Sequence, residues 1–227
     1  MPTETLVNLA ELQKHVDTVQ VSRRIDEVIV HHTWSPTAAD YRGIATVRGV
    51  RQYHMQVRGW SDNGYHVMIA PNGDIFLCRP LSRAGAHTSG RNAHSIGVSF
   101  IANFDVEHPE QYGGMQTGIR VIAALLRRFN LDTTAIRFHR EFANKTCPGT
   151  NLSLAEMRGW VHEALSSGSY FPGDPRIVLL PDSTVVDCAA RLENGTTRAD
   201  LRPLTEALGY EVHEHIRDQG KIYLRPR

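Results

Sequence analysis

Residues 64–79, GYHVMIAPNGDIFLCR, read as two apolar strands folded about a Pro-Asn-Gly-Asp turn, in which the glycine accepts the positive φ that the reversal requires. The segments on either side alternate between strand and helix signals. Upstream, RIDEVIVHH (24–32) carries three β-branched residues in a row, Val28, Ile29 and Val30, and predicts a short buried strand. After a WSPTAAD loop, Val47, Val50, His54 and Val57 recur at spacings of three and four and predict a helix over 43–58. Downstream, SIGVSFI (95–101) predicts a strand, and Ile122, Leu125, Leu126 and Phe129 mark one face of a buried helix. TTAIRFH (133–139) is a further strand. Ser153 and Glu156 have capping-box spacing ahead of a helix with Met157, Trp160, Val161 and Ala164 on one stripe. The alternation points to an α/β fold.

Composition shifts at SSGSYFPGDP (166–175), which reads as a linker. Beyond it, RIVLLPDSTVVDCAARL predicts two strands around a turn. RADLRPLTEALG predicts a helix ended by Gly209, and YEVHEHIRDQGKIYLRP a closing hairpin. The expected organisation is therefore a catalytic-sized domain over 1–165 with its core at about 24–165, a linker over 166–176, and a small ββαββ module over 177–227. A unit of about fifty residues stands near the lower limit for independent folding.

The chain has 227 residues and a net charge of +1, which gives no reason to expect nucleic acid or an anionic membrane as a partner. No apolar run approaches bilayer length, and the N-terminal residues, interrupted by Glu4, Glu11, Lys14 and Asp17, lack the apolar core of a signal peptide. Synthesis is expected to finish in the cytoplasm. Cys78, Cys147 and Cys188 are an odd number and far apart, which argues against a disulfide framework.

Among twelve histidines, the informative ones close strands: His31 and His32 end the first, and His139 ends the strand before FHREFANKTCPGT (138–150). Cys147 follows eight residues later, in a loop that Pro148 and Gly149 stiffen and turn. Two imidazoles and a thiolate suit Zn²⁺, and three protein ligands leave the fourth position that a catalytic zinc needs. A core histidine near a buried cysteine is the competing reading, because H-x7-C is not a standard zinc spacing. His32 points to the opposite strand face from His31 and is left out of the metal set. Lys145 is one of only three lysines among 25 cationic residues.

Four blocks, VIVHHTWSPT, RGWSDNGYHVMIAPNGDIF, GRNAHSIGVSFIANFD and FHREFANKTCPGTNL, resemble in content and order the zinc-dependent N-acetylmuramoyl-L-alanine amidases. That group includes amidase-type phage lysozymes and the peptidoglycan recognition proteins. The resemblance covers about residues 24–165 and implies a mixed central β-sheet flanked by helices. It implies His31, His139 and Cys147 as ligands of a Zn²⁺ cofactor, Tyr65 and Lys145 as catalytic residues, and His87 as a candidate substrate contact near the cleft. It also implies bacterial peptidoglycan as the partner, with hydrolysis of the bond between the lactyl group of N-acetylmuramic acid and L-alanine. Lys145 would place a compact positive charge where the reacting carbonyl gathers negative charge.

Two other readings stand beside it: a non-catalytic peptidoglycan receptor, from which Cys147 separates this chain, and a cysteine hydrolase using Cys147 and His139. STVVDCAARLENGTTRADLRPLTEALGYEV resembles the small modules named after the N-terminal domain of copper amine oxidases. It implies cell-wall attachment, and self-association comes second, because a small unit with an open sheet edge gains stability by pairing. Without a signal peptide, the expected setting is a phage or prophage endolysin, made in the cytoplasm and acting on the wall after release.

Overall fold

The computed structural model describes residues 4–166 in full and, beyond them, the backbones of six strands. The chain divides into two compact units, Met1–Ser169 and Tyr170–Arg227. In the first unit the elements run β1 (Thr5–Val7), α1 (Leu9–Thr18), β2 (Glu27–His32), α2 (Ile44–Gln56), β3 (Val67–Ile69), β4 (Ile75–Leu77), β5 (Ser95–Phe100), α3 (Met115–Phe129), β6 (Ile136–Phe138) and α4 (Leu154–Ser166).

Six strands form one mixed sheet in the order β1-β4-β3-β5-β2-β6. β2, β3, β5 and β6 run parallel, whereas β4 is antiparallel to both β3 and β1. β2 and β5 lie inside the sheet and all six residues of each are buried, which is why their sequences read as continuous runs rather than alternating ones. The hairpin of 64–79 is present: Ile69 pairs with Ile75, and the turn between them carries Gly73 at φ +87°. Asp74 closes the turn by accepting from the Tyr41 hydroxyl at 2.8 Å.

One face of the sheet is covered by α2, whose Val47 and Val50 pack with Met68, Ala70, Phe76, Cys78 and Ile101. α3 packs against β2 and β5 and between α1 and α4, burying Ile119, Ile122, Leu125 and Leu126. Leu12 and Val16, four residues apart on α1, are fully buried, as are Met157 and Val161 on α4.

The structure departs from the sequence reading at four points in this unit, the first being Thr133–Ala135, which form a 3₁₀ turn where a strand was expected, so that β6 has only three residues. α2 ends at Gln56, so Val57 falls past the last turn and is 66% exposed instead of joining the buried stripe. β1 and α1 were not anticipated. The Asn8 side chain accepts from the Glu11 amide at 2.9 Å while the Glu11 carboxylate accepts from the Asn8 amide at 2.8 Å, a reciprocal cap that starts α1.

In the second unit, antiparallel pairs join β7 (Arg176–Leu179) to β8 (Thr184–Asp187), β9 (Arg191–Glu193) to β10 (Thr196–Arg198), and β11 (Tyr210–Ile216) to β12 (Lys221–Pro226). The first and last pairs fall where hairpins were expected, and the middle pair was not foreseen. The expected linker and the RADLRPLTEALG helix lie outside the described residues, apart from Ser166, Arg176 and Arg198.

Candidate active site

The parallel strands bring their carboxyl ends to one side of the sheet, the place where open α/β folds collect ligands. His31 is the penultimate residue of β2 and is 1% exposed. His139 follows β6 directly and opens a short 3₁₀ turn, His139–Glu141. Cys147 is buried in the loop beyond. The ligating atoms of His31, His139 and Cys147 all lie within 4.8 Å of one another, the one such group of three among the described residues. The Nδ1 of His31 stands 3.6 Å from the Cys147 Sγ. A tetrahedral ion with ordinary Zn–N and Zn–S lengths sets its nitrogen and sulfur ligands about 3.6 Å apart, so this edge fits zinc.

The loop carrying Cys147 is fastened from inside. Arg140 donates its amide to the Cys147 carbonyl at 2.8 Å, and its guanidinium donates to the carbonyls of Gly149 and Leu152 at 2.6 and 2.8 Å. Asp105 accepts from the Thr146 hydroxyl at 2.8 Å and from the Thr150 amide at 2.9 Å, tying the loop to the segment after β5. No sequence signal singled out Arg140 or Asp105, because a side chain that serves backbone carbonyls or a loop hydroxyl leaves no periodic pattern.

Burial holds the imidazoles neutral: it pushes His31 well below the usual histidine range, and it takes His139 to about 4 with help from the Lys145 charge. Their lone pairs are thus available at neutral pH. Burial also pushes the Cys147 thiol up to about 12 in the absence of a metal. Tyr65 enters just before β3, its ring centroid 5.1 Å from that of His31, and burial raises its phenol above the ordinary tyrosine value, so it keeps its proton. Lys145 is exposed on the loop and lines the same cleft.

That cleft has a volume of about 1060 Å³. His139, Tyr65 and His87 line it together with Trp34 and Trp60. Trp34 is 62% exposed, while Trp60 is half-buried and stacks on His54 at 4.7 Å. His32 faces away, with its Nδ1 accepting from the Phe104 amide at 3.1 Å. Glu141 pairs with Arg137, accepting from its guanidinium at 2.8 Å, and accepts from the Phe138 amide at 2.6 Å.

His87 is only 6% exposed, and its Nδ1 lies 3.1 Å from the His31 Nε2 and 3.1 Å from the Thr88 hydroxyl. Its ring occupies a slot between two glycines: a Cβ on Gly85 or Gly97 would fall 2.4 or 2.5 Å from the His87 Cδ2. Ser95, 3.5 Å from the His87 Nε2, was read only as the first residue of a strand.

Three comparisons bear on this geometry. Drosophila melanogaster peptidoglycan-recognition protein SC1a is 32% identical over 151 residues, covering 64% of this chain and 78% of that protein. The human N-acetylmuramoyl-L-alanine amidase is 31% identical over 142 residues, covering 59% of this chain and 24% of the human protein. Among solved structures, an N-acetylmuramoyl-L-alanine amidase endolysin from Clostridium intestinale superposes with a TM-score of 0.51 at 26% identity, over 62% of this chain and 85% of that one. The profile described as N-acetylmuramoyl-L-alanine amidase matches residues 21–150, a span that holds all three converging donors, and by that match the chain belongs to the N-acetylmuramoyl-L-alanine amidase family.

Proposed function

We propose that this chain is a zinc-dependent hydrolase of peptidoglycan that cleaves the amide between the lactyl group of N-acetylmuramic acid and L-alanine. The observation that carries the reading is the convergence of His31, His139 and Cys147, the donor set of a catalytic zinc, beside a cleft that His139 itself lines. Zinc held there would supply Lewis-acid polarisation of the scissile carbonyl and acidify the attacking water.

The protein's own residues do the rest. Neutral His31 and His139 offer lone pairs, and the hard-to-ionise Tyr65 hydroxyl is a donor to the oxygen that gathers charge as the carbon becomes tetrahedral. The Lys145 ammonium balances the same charge from the cleft wall. When the C–N bond breaks, the leaving amine needs a proton, and we assign its relay to Tyr65. His87 also lines the cleft, and any contact it makes with substrate is through the small part of its ring that faces the cavity. Trp34 and Trp60 offer rings on which sugars can stack.

A receptor that only binds peptidoglycan has no use for three converging donors. A cysteine nucleophile requires a lowered thiol pKa, and here burial pushes the thiol the other way. Likeness to peptidoglycan-recognition proteins and to an endolysin supports peptidoglycan as the partner and the wall as the site of action, after release in the manner of a phage endolysin. Among the described residues no helix is long and apolar enough to cross a membrane. We assign catalysis to residues 1–165, joining to 166–176, and wall attachment or self-association to 177–227, a division supported by the separation of the chain into compact units.

Mass spectrometry of purified peptidoglycan after digestion tests the reaction. New free L-alanine amino termini on released stem peptides, with the glycan strands left intact, are expected, with loss of activity on chelation. New reducing sugar ends, or binding without any cleavage, would overturn the assignment.

A further inference from the structure

His31 shows its two ring nitrogens to two different surroundings. Nδ1 faces the Cys147 Sγ at 3.6 Å, inside the donor triad, and Nε2 faces the His87 Nδ1 at 3.1 Å. A neutral imidazole carries one proton, and a metal takes the nitrogen without it. If Nδ1 is the ligand, the proton sits on Nε2 and needs an acceptor. The His87 Nδ1 can accept only if His87 keeps its own proton on the far nitrogen.

The far end of the contact chain has a fixed polarity. The Ser95 hydroxyl donates to the main-chain carbonyl of Arg91 at 2.8 Å, and a carbonyl can only accept. With its single proton committed there, the Ser95 oxygen faces the His87 Nε2 across a long 3.5 Å contact with lone pairs alone. His87 Nε2–H therefore points at Ser95, His87 Nδ1 is bare, His31 Nε2–H points at His87, and His31 Nδ1 is bare toward the triad. The Thr88 hydroxyl, 3.1 Å from His87 Nδ1 and 3.4 Å from His31 Nε2, sits beside the link and adapts to it. The glycine slot holds the ring in place: backbones without Cβ atoms at Gly85 and Gly97 leave room for an imidazole lying against them.

We propose that His87, oriented by Ser95 and the Arg91 carbonyl, is a positioning residue that sets the tautomer and ring orientation of His31 and thereby raises zinc affinity. The inference rests on the reading that the triad holds zinc, and it gives His87 work that its near-complete burial permits. Partners that orient a metal-bound histidine are typically worth about 10–100-fold in affinity.

The test uses the full chain and a chromophoric chelator competing for zinc, with circular dichroism of each variant as the check on folding. His87→Asn and His87→Leu have nearly the same shape, but only the amide oxygen can accept where Nδ1 does. His87→Leu is expected to weaken zinc binding by about 10–100-fold, and His87→Asn to stay within a few-fold of the unsubstituted protein. Equal affinities for the two would overturn the proposal. Should both fail to fold, Ser95→Ala decides: several-fold weaker zinc supports the chain of contacts, and unchanged affinity overturns it. An unsubstituted protein that binds no zinc would instead sink the metal reading of the triad.

Discussion

The His31 Nδ1 and the Cys147 Sγ stand 3.6 Å apart across 116 positions of sequence, because β2 and the loop after β6 meet at the carboxyl edge of adjacent parallel strands. In the zinc site proposed above that separation would be a ligand–ligand edge, which makes Cys147 the residue whose removal tests the metal most directly.

Cys147→Ser should lower zinc occupancy and abolish amide hydrolysis while leaving the fold intact, because a hydroxyl of similar size replaces the thiol in a loop still held by Arg140 and Asp105. Metal analysis with circular dichroism checks it. Full zinc and full turnover in the variant would remove Cys147 from the ligand set.

Lys145→Ala and Tyr65→Phe separate chemistry from metal binding. Each should keep zinc yet lose about 2.7–4 kcal/mol of transition-state stabilisation, the range for a single oxyanion-hole donor, seen as a drop of 10²–10³ in kcat. Loss of zinc in either variant would show that its role lies in the metal site instead.

Acid should destabilise the fold through histidines kept neutral by burial. His54 is depressed to about 4 by burial, with smaller contributions from Arg58 and Arg79, and burial with Arg23 and Arg79 takes His66 to about 3. Above the unfolded value of about 6.5 neither state is protonated and the groups contribute nothing. As pH falls below it, the unfolded chain takes protons that the folded one refuses, so stability drops by up to roughly 1.4 kcal/mol per pH unit for each histidine. Urea unfolding at pH 7 and pH 5 should therefore show a loss that His54→Gln reduces by about 1–2 kcal/mol. An unchanged pH dependence in the variant would contradict the assignment.

Residues 1–165 contain every converging donor, so the truncated chain should cleave a small soluble muropeptide almost as well as the whole. Its activity on intact walls should fall if residues 177–227 hold the enzyme near its insoluble substrate and raise its effective concentration there. Equal loss on both substrates would show that the C-terminal residues support the catalytic fold, and no loss on either would leave attachment without support.

The central strands were legible because burial on both faces selects apolar, β-branched runs, as at Val28–Val30. α4 was legible through Met157, Val161 and Ala164 at helical spacing. α1 is less legible: Asn8 and Glu11 carry its cap, but only Leu12 and Val16 are buried, too narrow a stripe to stand out among its polar residues. β1 has three residues on a sheet edge, too few for a period to show. Val57 fits the α2 stripe in spacing and misses it in space because the helix stops one residue earlier. In the site, residue types and strand ends hinted at zinc, but the meeting of His31 with His139 and Cys147 depends on the strand order β5-β2-β6, which spacing alone does not contain. The Ser95–His87–His31 contacts were invisible for the same reason.

Two of the three donors, His139 and Cys147, lie on the segment that follows β6, tied by side chains that include Arg140, Asp105 and Glu141, while the third is built into the middle of the sheet. Zinc bound there as proposed would depart when that segment alone opens, leaving the sheet undisturbed. Its exchange rate should then follow the local opening equilibrium rather than global unfolding, and a chelator should strip the metal at denaturant concentrations where the rest of the domain is still native.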